Sequence, residues 1–342
     1  MSDDRPFGAR AWLYGGAAAA LSCFPLVVGD PFWLSVGTLT MLAALGAVGM
    51  VVILGYGGYV ALGQVAFGGV AAYATTILQE RAGIPLALAV VVATAGAMAV
   101  AALTGVALLR LRGIYFAAAT FALAELARLV ALNWTPVTNG QIGMVVPAEG
   151  RARLPGATVL EGVLIPAAAD YYVALASFAA AAAVTVVYGR SRDGRALVAL
   201  RDNERVAQTA GIRPTATRVG AFVLAAALAA VWGVMVARFN GLVDPQSMGV
   251  ERTVLLLTIA IVGGARSVLG ALVGAAVVTV VPEVLQVAVA YRPLLYGALL
   301  VVFATRAPEG VAGWVERAVR RRRARAAPVA AAAAPARERG AA

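Results

Sequence analysis

Apolar runs of about 20 residues recur along this chain. A run of that length crosses the hydrocarbon of a bilayer as a single helix, so this repetition constrains the fold more than any other feature. About ten such segments stand out by length. They lie near Ala11–Val28, Phe32–Leu54, Tyr59–Leu78, Pro85–Leu109, Tyr115–Leu132, Tyr171–Val187, Thr217–Phe239, Val250–Val262, Val268–Val281 and Leu294–Phe303. The last three are short, and glycines punctuate them, so one is expected to be re-entrant or broken; the range is about eight to ten spans. The fold class expected is therefore an all-α integral membrane protein, a polytopic helical bundle. With 61% hydrophobic and 13% charged residues in 342, the chain carries more apolar surface than one soluble core takes up.

What is missing narrows the chemistry. The sequence has no histidine, one cysteine (Cys23) and no lysine. That excludes an imidazole base, a thiolate metal cluster, a Schiff-base lysine and the Gly-Lys-Ser/Thr phosphate loop of nucleotide hydrolases. No cofactor or metal is expected, and no base and nucleophile combine into a catalytic set. The formal charge of +11 comes from 28 arginines. In a membrane chain that charge reports orientation rather than nucleic-acid binding.

With a cytoplasmic N-terminus, residues 1–10, the 188–216 loop and a basic tail over 306–342 face inward, and roughly three arginines of every four fall on that side. Asp30, Glu149, Glu161, Asp170 and Asp244 gather on the other. Both termini are thus expected in the cytoplasm, with the first apolar run retained as a helix rather than cleaved. The membrane-embedded body is expected to span 11–305, with an outer segment over 133–170. The tail from Trp314 to Arg325 is basic and partly amphipathic, suited to an anionic inner leaflet, and the Ala/Pro/Arg-rich stretch beyond it is expected to be disordered.

The 188–216 loop carries the densest local signals. Asp193 is placed to cap a helix from Gly194 to Arg201, which sets Leu197 and Leu200 on one face, and a second short helix fits Asn203 to Ala210. Gly211 stops it and Pro214 prevents its return. Leu197, Leu200, Ala207 and Ala210 offer apolar docking points amid arginines. A solvated basic loop is the plainer alternative. Two ordered short helices read better as a surface that meets a partner.

At this loop the sequence resembles a known family. The run Gly194-Arg195-Ala196-Leu197 through Arg201-Asp202-Asn203-Glu204, with Ala207 and Gly211-Ile212, is similar to the cytoplasmic loop of branched-chain amino-acid ABC importer permeases of the LivM type. Gly63-Gln64-Val65-Ala66-Phe67-Gly68-Gly69 resembles that family's Gly-rich third span. Leu109-Arg110-Leu111-Arg112-Gly113-Ile114-Tyr115, with Thr120, Glu125 and Arg128, resembles its fifth, and Gly263-Gly264-Ala265-Arg266-Ser267 resembles its late Gly-Gly turn. The order is consistent over roughly residues 35–305. Two departures stand out: Ala265, at a position usually smaller, and the outer Thr138–Gly143 stretch.

The resemblance implies a permease subunit in a bacterial inner membrane, without an ATPase site of its own. Its implied partners are a second, LivH-like permease, two ATP-binding subunits of the LivG/LivF kind and an extracytoplasmic solute-binding protein. Gly194, Arg195, Leu197, Leu200, Arg201, Glu204, Ala207 and Gly211 would form the element that seats in the ATPases. The cargo implied is a branched-chain or related amino acid, with urea or a short amide as the nearer alternative and an ion- or proton-coupled secondary transporter as the more distant one.

Three polar residues lie inside apolar runs. Glu125 and Arg128, three apart, share a helix face and pair, either as a strut for packing or as part of the translocation lining or gate. Gln64 sits among glycines, either in a packing seam or at a broken midplane helix that meets solute. The glycine interruptions near Gly63 and near Gly263–Gly274 hint at an internal pseudo-repeat.

Overall fold

The computed structural model describes residues 21–25, 27–111, 113–147, 166–285 and 291–306, together with positions 16, 310 and 313. Most of the first apolar run, Arg112, residues 148–165 with Glu149 and Glu161, and the basic tail lie outside the described residues. From Phe32 onward every apolar segment falls on a helix. They are α1 (Pro31–Met50), α2 (Gln64–Ala82), α3 (Leu86–Leu108), α4 (Ile114–Asn133) and α5 (Pro166–Arg190). After the short helices α6 (Arg192–Asp202) and α7 (Glu204–Thr209) come α8 (Pro214–Asn240), α9 (Val250–Gly263), α10 (Val268–Val284) and α11 (Arg292–Arg306).

Five described helices are long and apolar enough to cross a membrane by themselves, or six if α9 and α10 form one broken span. The bend between those two is 119°, so the two short segments near Val250 and Val268 form a broken span or a re-entrant loop. That is the broken helix expected from the glycines. Gly264, at φ +101°, takes the chain out of α9. Ser267 Oγ then accepts the Gly270 N–H at 3.2 Å to cap α10.

α1 is the centre of the bundle. Asp30 caps it by accepting the Phe32 N–H at 2.9 Å, and Pro31 supplies a pre-set first turn. It is apolar on every side, and 83% of its span is buried, against 22% for α4 and for α5. α5, α8, α9 and α10 pack around it. α8 crosses next to it and also holds α2 and α3. The α3 seam is a row of every fourth residue: Ala89, Ala93, Ala97, Ala101 and Gly105. Small side chains there let backbones approach, which is how helices gain contact when lipid already satisfies their apolar surface. At the α2–α8 crossing, Gly68 and Gly233 meet backbone to backbone.

α1 does not end cleanly. It runs into a π-helical segment, Val51–Tyr56, and then an irregular stretch to Gln64. Backbone freed inside an apolar bundle needs other partners. The Leu62 N–H donates to Thr120 Oγ1 of α4 at 3.1 Å, and Thr253 Oγ1 of α9 donates to the Leu62 carbonyl at 3.4 Å. On the opposite side a small cap closes the bundle. Its strands β1 (Met144–Val145) and β2 (Leu242–Val243) pair antiparallel, Met144 opposite Val243. Met248 wedges against Gly69, and Met144, Val146, Val243 and Tyr73 join it in a second, smaller core.

Candidate functional site

The 188–216 loop folds as two helices, with starts one or two residues from those expected. Ser191, not Asp193, caps α6: its Oγ accepts the Gly194 N–H at 3.1 Å. Asp193 sits in the first turn instead, where a carboxylate suits the helix dipole. Asn203 caps α7 by accepting the Val206 N–H at 3.2 Å. Gly211, at φ +83°, ends the pair, and the Ile212 N–H closes back on the Ala207 carbonyl at 3.1 Å.

Orientation is where the sequence reading needs correction. Leu197, Leu200 and Ala207 are not offered to a partner: they are 1%, 3% and 3% exposed, with Leu197 in the core of the membrane helices and α7 packed on α6. The period of three placed the leucines on one face correctly. Only the packing of α6 on α5 and α8 shows which way that face turns. Gly194 lets α6 settle on the end of α5, its α-carbon lying close to the Tyr188 carbonyl.

Most charges of the loop are also spent within the chain. Glu204 pairs with Arg218 of α8 at 3.0 Å, and that guanidinium lies over the Tyr59 ring, 5.1 Å from its centre. Arg195 donates to the Arg190 carbonyl. Arg201 spans two structures, pairing with Asp202 at 2.8 Å and donating from Nη1 to the Gly55 carbonyl of the π-helical segment at 2.5 Å. The exposed surface of α7 includes Arg205 and Val206, the latter an apolar side chain 62% exposed, with Gln208, Thr209 and Ala210 beside them. Arg218, Gly55 and Tyr59 were not singled out from the sequence, although the crowding of Gly55, Gly57, Gly58 and Gly63 was a readable sign of a broken helix.

Glu125 and Arg128 do pair, with Arg128 Nη2 2.5 Å from Glu125 Oε1 and its Nε 3.0 Å from both carboxylate oxygens. The pair lies along α4, a helix only 22% buried, and the two side chains are 35% and 20% exposed. The α4 side chain that reaches the irregular Leu62 backbone is Thr120, fully buried. Gln64 is 2% exposed, and neither of its amide atoms has a hydrogen-bond partner. Its amide packs against Gly49 of α1, near the Ala225 carbonyl of α8. The structure therefore does not gather Gln64, Glu125 and Arg128 into one site: Gln64 stands in a tight three-helix seam, and the ion pair stands at the bundle's edge. Among the described residues no group of three or more Cys, Asp or Glu side chains is placed to hold a metal ion.

Helices of this length and apolarity, an interrupted pair, and a folded loop pinned to them define a multi-pass membrane protein. The chain belongs to the family of permease components of branched-chain amino acid transport systems, whose family model matches residues 32–304. It is 27% identical over 314 residues to the high-affinity branched-chain amino acid transport system permease protein LivM of Escherichia coli K12, covering 84% of this chain and 72% of that protein. Against LivM of Salmonella typhimurium LT2 the identity is 28% over 307 residues, with the same coverage. LivH of the same Salmonella strain is 30% identical over 141 residues, 41% of this chain and 46% of that protein. No solved structure matches the chain.

Proposed function

We propose that this chain is the transmembrane permease subunit of an ABC importer for branched-chain or related amino acids, set in a bacterial inner membrane with both termini cytoplasmic. ATP is bound and hydrolysed by separate ATPase subunits, which engage the 188–216 loop from below. A second permease completes the channel, and a loaded solute-binding protein delivers cargo to the outer segment over 133–170. The observation that carries this reading is the loop itself. An element that receives a power stroke has to be rigid and anchored, and α6 and α7 are fixed to the membrane helices by buried Leu197 and Leu200, by Glu204–Arg218 and by Arg201. Among what they leave outward, Arg205 and Val206 on α7 suit a partner's groove.

The edge of α4 supports the second permease. A charged pair cannot be left against acyl chains cheaply, so the exposed face with Glu125 and Arg128 borders either the companion subunit or a wet path between the two. The test is uptake of labelled leucine into proteoliposomes holding both permeases, the ATPases and the binding protein. Uptake that needs ATP and survives a protonophore supports the reading. Uptake that runs without ATP and stops with the protonophore overturns it. Competition by urea or a short amide decides the cargo class.

A further inference from the structure

Arg201 ties the cytoplasmic loop to a break inside the membrane bundle, and its surroundings show how. In the π-helical end of α1 the carbonyls of Val52, Ile53 and Leu54 accept from the N–H groups of Gly57, Tyr59 and Gly58. The Gly55 carbonyl, next in line, receives Arg201 Nη1 at 2.5 Å. The stem of Arg201 reaches it across Gly58: a Cβ there would stand 2.5 Å from Arg201 Cγ, and the residue's φ of +74° is one that glycine tolerates best. From its other side Gly55 rests on the turn between α9 and α10. A Cβ on Gly55 would come within 2.0 Å of the Ala265 carbonyl oxygen and 3.3 Å of Arg266 Cα. Tyr56, the next residue, presses its hydroxyl end on Gly189 at the end of α5.

Gly55 is thus held between the loop and the second interrupted helix. The two interruptions, far apart in sequence, touch through backbone. π-helical turns are costly local departures that persist where neighbours hold them, and a contiguous packed chain of this kind transmits displacement only if its members shift together.

Building on the function proposed above, we infer that Arg201 is a positioning residue that transmits the loop's movement to both breaks at once, with Gly55 as the common pivot. A displacement of α6 then moves the end of α1 and the α9–α10 turn as one unit, and permeation is gated at both together. Asp202 orients the guanidinium from the solvent side and carries no part of the transmission.

Two measurements test this. In the purified chain, amide exchange over residues 51–58 should quicken about tenfold in Arg201→Ala and stay near wild type in Asp202→Ala. In the reconstituted importer, Arg201→Ala should lower uptake about tenfold while the ATPases remain bound and hydrolyse ATP within about twofold of wild type. Arg201→Lys, which can still reach one carbonyl, should recover part of the uptake. Full uptake in Arg201→Ala overturns the inference. So does loss of the ATPases from the complex, which would make Arg201 a docking residue, and so does an equal loss in Asp202→Ala. If instead the wild-type importer ignores ATP, the proposed function fails, and the exchange measurement still decides whether Arg201 holds the break.

Discussion

The 188–216 loop and helix α4 both present charges at a boundary, and they resolve them in opposite ways. In the loop, Glu204 and Arg201 find partners on other elements, Arg218 of α8 and the Gly55 carbonyl. In α4, Glu125 and Arg128 find only each other, one turn apart, and remain on the outer face of the bundle. Contacts that run between elements lock the loop into the body as an appendage that moves with it. A pair closed within one helix neutralises charge but fixes nothing else, so it leaves a face unfinished. On the function proposed above, the first arrangement suits force transmission and the second suits a surface that meets a neighbour.

The largest effect is expected where the loop is most deeply anchored. Leu200→Asp buries a carboxylate at a position 3% exposed with no partner on hand, a cost on the order of 3–5 kcal/mol. α6 should lift off, read as protease cleavage within 190–213 and a lowered Tm; an unchanged digest would mean that the loop is not anchored through its leucines.

On α4 the decisive comparison is between one substitution and two. Glu125→Leu alone strands Arg128 in the apolar zone and should lower Tm clearly. Adding Arg128→Leu should restore Tm, since an apolar face suits detergent or lipid, yet uptake should fall about tenfold if that face borders the companion permease or a wet path. Normal uptake by the double variant would reduce the pair to a strut.

Glu204→Arg comes next. It sets a guanidinium against Arg218 and should cost about 1–2 kcal/mol, with uptake falling more than ATPase binding. Gln64→Leu should raise stability by about 1 kcal/mol, because two buried amide atoms without partners vanish; a matching loss of uptake would return Gln64 to the translocation path. The smallest change is Val206→Ala. Stability should hold within about 0.5 kcal/mol while capture of the ATPases weakens, and unaffected capture would move the docking surface elsewhere.

Much of this was readable in advance because it is local. Apolar length places the helices, though five or six of the described ones rather than eight to ten are long and apolar enough to span; Gly264 and Ser267 mark where one helix stops and another begins, and spacing of three pairs Glu125 with Arg128. Even the two short loop helices follow from cap residues and Gly211, missing their starts by a residue or two where Ser191 outcompetes Asp193. The glycine interruptions near Gly63 and Gly263 were visible as interruptions. That they press against each other at Gly55 and Ala265 was not, since no periodicity relates residues two hundred positions apart.

Chain chemistry alone therefore settled the solvent, the helices and the absence of lysine and histidine chemistry, because hydrophobicity, capping and side-chain inventory act within a few residues. The direction in which Leu197 and Leu200 face, the partners of Arg201 and Glu204, the burial of Gln64 and the outward placing of the α4 pair were decided only by how the helices pack. In an apolar bundle nearly every face is equally hydrophobic, so pattern cannot choose an inside, and close contact between small residues chooses it instead.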